Sequence, residues 1–220
     1  MSSASKAHAS EFVASMGPTL GPLYYTLENQ TASVHVKWQE YKALFGTDKE
    51  RVDFVFSIAP SFFGVVAHGL WEAILLHIAR LTGPGSTGRG KLAQENVTLR
   101  LLPGYINDPK ARIDLQRLVK AVTDDAGFIE RPRNKWIAHL DYKLMLDPNE
   151  AALTLGSRKE VAAVLASISA VLDAVAEHFG VNKTTFDFLA LDADAEYLLR
   201  VMRAGAKAVE AEHAARFALK

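Results

Sequence analysis

The sequence predicts an all-α protein, a helical bundle with additional helices, and three observations carry that expectation. Apolar residues recur at helical spacing over long stretches. Gly, Pro and short polar residues stand where those stretches begin and end. No run of alternating strands, internal repeat or low-complexity block interrupts them. The 220 residues are 49% hydrophobic and 23% charged, ample for a sizeable core and unlike a disordered chain. The expected organisation is one domain over residues 1–220. Residues 1–21 are read as flexible or peripheral, the bundle core as about 22–180, and residues 190–220 as a C-terminal helix.

Each element has its own warrant. Gly17-Pro18 and Gly21-Pro22 punctuate the N-terminal segment, with Pro22 suited to a first helical turn. Leu23, Leu27, Val34, Trp38, Tyr41 and Phe45 then repeat at helical spacing up to Gly46, and Thr47 or Asp48 is placed to cap the next helix. A long apolar helix follows to about Leu81, bent at Pro60. Its apolar character nearly all round points to a bundle centre or a subunit interface. The Gly-rich "TGPGSTGRGKLAQENVTLRLLPGY" reads as a loop ending in a short apolar piece. Asp108-Pro109 opens a helix whose buried face is Ile113, Leu115, Leu118, Val119 and Val122, with Gly127 as its end. Pro132 restarts a helix. "YKLMLDPNEAALTL" has weak hairpin character, and Ser157–Phe179 forms an Ala/Val/Leu-rich helix closed by Gly180. The last helix runs from about Asp192 to Phe217.

Composition removes several function classes. Formal net charge is zero, so no whole-molecule basic field advertises nucleic-acid binding and any such site must be local. Cys is absent, which excludes thiolate metal sites, disulfides and cysteine nucleophiles, and fits a cytoplasmic setting. "MSSASKAHASEF" lacks the apolar core of a leader. Phe54–Ile78 is the most apolar stretch, but Pro60, Gly64, His68, Gly69, Glu72 and His77 suit a buried helix better than a bilayer span, so no membrane is expected.

Three motifs resemble sites and fall short. Gly85-Ser86-Thr87-Gly88-Arg89-Gly90-Lys91 spells GxxxxGK, but Leu92 supplies no hydroxyl for magnesium and a helix precedes the loop where a strand is needed. A basic loop touching phosphates is the better reading. Glu210-x-x-His213 has the spacing of paired-metal bundles but occurs once, on a wet helix. His68 with Glu72 reads as a buried hydrogen-bonded pair, not a metal site. No cofactor or metal is expected.

"RPRNKWIAHLD" (131–141) is the richest segment. Trp136 and Leu140, at i,i+4, can anchor a helix, while Arg131, Arg133, Asn134, Lys135 and His139 fill its polar arc. At 100° per residue Arg133 and His139 lie about 120° apart with a rise of about 9 Å. On physics alone a plain wet face is the better explanation of such residues. The wording of the segment adds a resemblance. "RNKWIAH" is similar to the Arg-x(4–6)-His signature of the HEPN superfamily. "LWEAILLHIARLTGPGSTGRGKLAQENVTLRLL", followed about thirty residues later by "RNKWIAHLD", resembles its abortive-infection AbiU-type branch.

The resemblance implies a helical bundle that dimerises through its motif helices and serves as a metal-independent endoribonuclease of a defence or toxin system. The alternative within the same superfamily is a non-catalytic module binding a protein or nucleotide partner. On the first reading His139 is the proton-transfer group and Arg133 the phosphate clamp, with Asn134 orienting one or the other. Lys135 and Arg131 would hold the backbone of a single-stranded RNA substrate. The expected partners are RNA, a second copy of the chain, and an antitoxin or regulatory protein. Asp141 stands where some superfamily toxins carry a modified Tyr, so that regulation is not carried over.

Overall fold

The computed structural model describes residues 3–46, 48–88, 94–129 and 156–218. Among these the regular structure is helical apart from one pair of two-residue strands, in agreement with the all-α expectation. Helix α1 spans Ser3–Phe45 and is kinked at Gly17, whose φ of 87° and ψ of 172° are not helical. The kink folds the first arm back on the second. His8 reaches Glu28 at 2.8 Å, and the Phe12 ring meets Tyr24 at 4.9 Å between centroids. A Cβ on Gly21 would stand 2.7 Å from the Phe12 carbonyl and the Val13 Cα, so the arms touch backbone to backbone at Gly21. Phe12, Met16 and Leu20 are buried in the main core. The expectation that residues 1–21 are flexible or peripheral is therefore corrected. The Gly-Pro pair that reads as punctuation is the turn of a helical hairpin, and Gly21 serves contact, not chain breaking.

The expected apolar helix is two helices. Helix α2, Lys49–Ile58, is capped by Asp48, whose carboxylate accepts from the Arg51 amide at 2.7 Å. Helix α3, Pro60–Thr82, follows a break at Ala59 (φ −153°, ψ 78°). Proline disfavours the helical conformation of the residue before it and lacks the N–H to continue the ladder, so the chain breaks instead of bending. The second half of α3 supplies Trp71, Ile74, Leu75, Ile78 and Leu81 to the core, whereas Phe62 and Val65 in the first half are exposed. Extensive burial is thus confined to the second half, and even there Arg80 is exposed. By length and composition α3 and one later helix could cross a membrane; here both give their central residues to the shared core.

Strands β1 (Ser86–Thr87) and β2 (Gln94–Glu95) pair antiparallel. A 3-10 helix, Leu99–Tyr105, buries Leu99 and Leu102. Helix α4, Pro109–Asp125, is capped by Asp108 and buries Leu115, Val119 and Val122. Ile113, expected with them, is exposed because it precedes Leu115 by two residues and so points to the far side. A 3-10 turn, Ala126–Ile129, follows. Helix α5, Arg158–Phe179, begins with a capping box between Ser157 and Glu160 and ends at left-handed Gly180, φ 65°. Helix α6 covers Ala195–Ala218, its start held by the Tyr197 amide donating to Asp194.

In space α1 packs on α3 and α5, and α4 lies along α5. Tyr24 of α1 donates to the Leu172 carbonyl of α5 at 3.3 Å. A second, smaller core gathers Leu44, Phe45, Val55, Phe63, Ala195 and Leu199 from α1, α2, α3 and α6. The hairpin expected within 142–155 and the Thr47 cap lie outside the described residues.

Candidate functional site

The sequence-predicted site residues Arg131, Arg133, Asn134, Lys135 and His139, and Asp141 beside them, lie outside the described residues. The structure does define both ends of the segment that carries them. Ile129, two residues before Arg131 in the chain, is 1% exposed, so the segment starts from a fixed point in the core. Gly156, where the description resumes, has φ 72°, and a Cβ there would fall 2.4 Å from the Phe128 ring. Only glycine fits that place, on conformational and on steric grounds. Phe128 and Gly156, the described residues on either side of positions 130–155, therefore stand in contact. Nothing in the sequence reading singled out Gly156. A glycine between two helical patterns looks like a linker until its neighbour is known.

Beside the start of the segment, Ala79, Thr82, Gly83 and Pro84 line a small recess with Arg100, Thr123, Ala126 and Ile129. Arg100 is held there by donating from Nε to the Thr82 carbonyl at 2.9 Å, one of the carbonyls left open at the end of α3. The wall formed by Ala79, Gly83 and Pro84 is shared with a larger cleft on its other side.

Behind that cleft lies a polar network joining α1 to α3. Lys37 donates to the Ser33 carbonyl and hydroxyl and approaches His77 Nδ1 at 3.5 Å, while His77 Nε2 meets Gln30 Oε1 at 2.5 Å. An ammonium only donates, so Nδ1 accepts and the ring proton sits on Nε2, directed at the Gln30 oxygen. Burial pushes the His77 pKa down to about 4, assisted by Lys37 and Arg80, so the ring is neutral near pH 7. Burial also lowers Lys37. In the sequence His77 stands out only as one of the polar residues of an apolar helix. His68 does pair with Glu72 at 3.1 Å, but its side chain is 59% exposed, so that pair lies on the surface and not in the interior as expected.

A third histidine invites a catalytic reading and fails it. His35 has Ser169 Oγ at 3.3 Å from Nε2 and Asp187 at 3.4 Å from Nδ1, the order of a serine-hydrolase triad. The Ser169 hydroxyl, however, donates to the Leu165 carbonyl at 3.0 Å, and His35 is 2% exposed with no room for a substrate. Burial lowers the His35 pKa, opposed by Asp187. The arrangement ties α1 to α5 and to the Phe186–Phe188 turn. Among the described residues no three His, Asp or Glu side chains converge on a metal-sized point. Glu210 is exposed, and the His213 side chain lies outside the described residues. The GxxxxGK stretch follows helix α3 and enters strand β1, the reverse of the strand-then-helix order of a phosphate loop. Its Arg89, Gly90 and Lys91 also lie outside the described residues.

An all-α bundle bearing an Arg–His segment between two core helices has the features of a HEPN domain. The chain belongs to the AbiU2 family of HEPN domains, whose profile matches residues 18–198. Neither the curated proteins nor the solved structures compared with it gave a match.

Proposed function

We propose that this protein is a metal-independent endoribonuclease of an abortive-infection or toxin system, with Arg133 and His139 as its catalytic pair. The observation that carries the proposal is the "RNKWIAH" segment lying within the 181 residues, 18–198, that match the family. The 2′-hydroxyl of RNA attacks the adjacent phosphorus while His139, whose neutral imidazole can accept a proton, takes the hydroxyl's proton. The 5′-oxygen leaves with a proton, and the product strand ends in a 2′,3′-cyclic phosphate. Arg133 holds the phosphate bidentately and stabilises the charge that grows on its oxygens. Asn134 orients His139 or a phosphate oxygen, and Lys135 and Arg131 hold the strand. The contact between Phe128 and Gly156 supports this reading, because it gives the chain on either side of the motif a fixed place on the bundle.

Arg133 and His139 diverge by about 120° on one helix, so the reading includes a homodimer in which two copies line one cleft. Incubation of the purified protein with total RNA and a chelator, followed by end mapping, tests the chemistry. Cleavage leaving cyclic or 3′-phosphate ends is expected, with both Arg133→Ala and His139→Ala inactive at near-parental melting temperature. Fragments with 3′-hydroxyl ends formed only with magnesium, or cleavage retained in both variants, overturn it.

A further inference from the structure

The cleft beyond Gly83 and Pro84 has a volume of about 500 Å³, within the range of small-molecule sites. Its walls come from α1 (Thr26, Gln30), α3 (Leu76, Ala79, Arg80) and the hairpin with its exit (Thr87, Asn96, Val97, Thr98). Among the described residues no acidic side chain lines it. Arg80 is exposed and makes no hydrogen bond or ion pair among the described residues, so its guanidinium is free to take an anion.

The remaining polar groups are fixed, not adaptable. His77 holds Gln30 by its oxygen, which leaves both N–H donors of the Gln30 amide without a partner among the described residues. Asn96 is held by its own amide N–H groups, which donate to the Pro84 carbonyl at 3.1 Å and Thr87 Oγ1 at 3.4 Å, and its carbonyl oxygen remains an acceptor. Thr98 is 1% exposed, yet its hydroxyl finds no partner among the described residues. That hydroxyl is closed off beneath the cleft surface, so it is not among the groups offered to a ligand. Leu76, Ala79, Pro84 and the exposed Val97 add an apolar wall.

A free cation, oriented amide donors, an oriented amide acceptor and an apolar wall are what a nucleoside phosphate requires: phosphate on Arg80, base edge on Gln30 and Asn96, base face on the apolar wall. We propose that this cleft, distinct from the Arg133–His139 segment, binds a nucleoside phosphate, either a free nucleotide or one residue of a single-stranded RNA. The free-nucleotide form stands apart from the ribonuclease reading, and the RNA form rests on it. The site owes nothing to a phosphate loop. Its cation is Arg80 on α3, not Lys91.

The test uses the full chain carrying His139→Ala, so that RNA stays intact, with a chelator present. Adenosine monophosphate is titrated by calorimetry, and a labelled six-nucleotide single-stranded RNA by fluorescence anisotropy. Arg80→Ala is expected to weaken binding at least tenfold, as loss of a charge-assisted contact does. Gln30→Glu keeps an oxygen facing His77 but removes both donors, and is expected to do the same. Unchanged melting of Arg80→Ala shows that the fold persists, and Lys91→Ala is expected to bind like its parent. Mononucleotide binding that competes with the oligomer identifies a free nucleotide as sufficient; binding of the oligomer alone identifies RNA. Binding of neither probe, or binding indifferent to Arg80→Ala, overturns the inference. RNA cleavage by the parent chain is scored separately. Cleavage without Arg80-dependent binding removes the cleft and leaves the ribonuclease, and the converse result removes the ribonuclease and leaves the cleft.

Discussion

His77 shows how far one side chain's surroundings can move its chemistry. It is 8% exposed, and it has a cation on one nitrogen and an amide oxygen on the other. Burial disfavours the charged ring, and protonation would also put a charge on Nδ1 facing Lys37 and within the field of Arg80, which is why the folded value falls to about 4. The sign of the linkage follows. The unfolded chain binds this proton near the ordinary value of 6.5, before the folded chain does, so stability is full above 6.5 and is lost as pH falls towards 4. The fall corresponds to roughly 3 kcal/mol at the acid end of that window. Urea unfolding of the parent and of His77→Gln at pH 7 and pH 4.5 checks this. The parent is expected to lose more stability on acidification than the variant, with the lowered pKa of His35 still acting in both. Equal losses in the two proteins would show that His77 carries no such burden. His35 teaches the complementary lesson. Residue types and contact order imitate a triad, and the direction of one hydroxyl decides that it is structural.

Between helices, the glycines decide geometry. Gly17 turns the α1 hairpin, and Gly21 lets its arms meet. Gly21→Ala would place a methyl 2.7 Å from backbone atoms that cannot rotate away, and a cost of about 2 kcal/mol or more is expected. Gly17→Ala meets no neighbour but must hold φ 87°, for a cost of about 1–2 kcal/mol. Chemical denaturation ranks the two, and a Gly21→Ala protein as stable as its parent would refute the close contact. These elements mark the limit of what the sequence discloses. The α4 stripe Leu115, Val119 and Val122, the Asp48 and Asp108 caps and the Ser157–Glu160 box are local patterns, and each is legible. The fold-back of residues 3–16 is not, because its partners, His8 with Glu28 and Phe12 with Tyr24, are non-local. The same holds for function. "RNKWIAH" is contiguous and readable, whereas the cleft assembles Thr26, Arg80 and Thr98 from three elements.

At the scale of the whole molecule the chain carries two cores of unequal size. The main one joins α1, α3, α4 and α5 with the 3-10 helices between them, and the smaller one joins the end of α1 to α2, the start of α3 and the start of α6. Polar contacts fasten the smaller core. Arg51 donates to the Ala43 carbonyl at 3.0 Å and pairs with Glu196, and the Ala195 amide donates to Glu40 at 2.9 Å. Among the described residues only six buried side chains make it up, including Leu199 at 1% exposure, while Tyr41 packs against both cores. Few buried contacts mean a low free energy for local opening, so the smaller core should open without the larger. Leu199→Ala removes about 2–5 kcal/mol of packing from it. Native-state hydrogen exchange is then expected to show amides of residues 51–57 and 199–203 exchanging faster by several orders of magnitude. Amides of residues 164–175 in α5 should keep their protection, because Val164, Leu165 and Ile168 touch only the main core. Ile168→Ala is the contrasting variant, and it should lower protection everywhere, since global unfolding exposes both cores. Leu199→Ala lowering the protection of α5 as much as that of α6 would mean that the two cores melt as one.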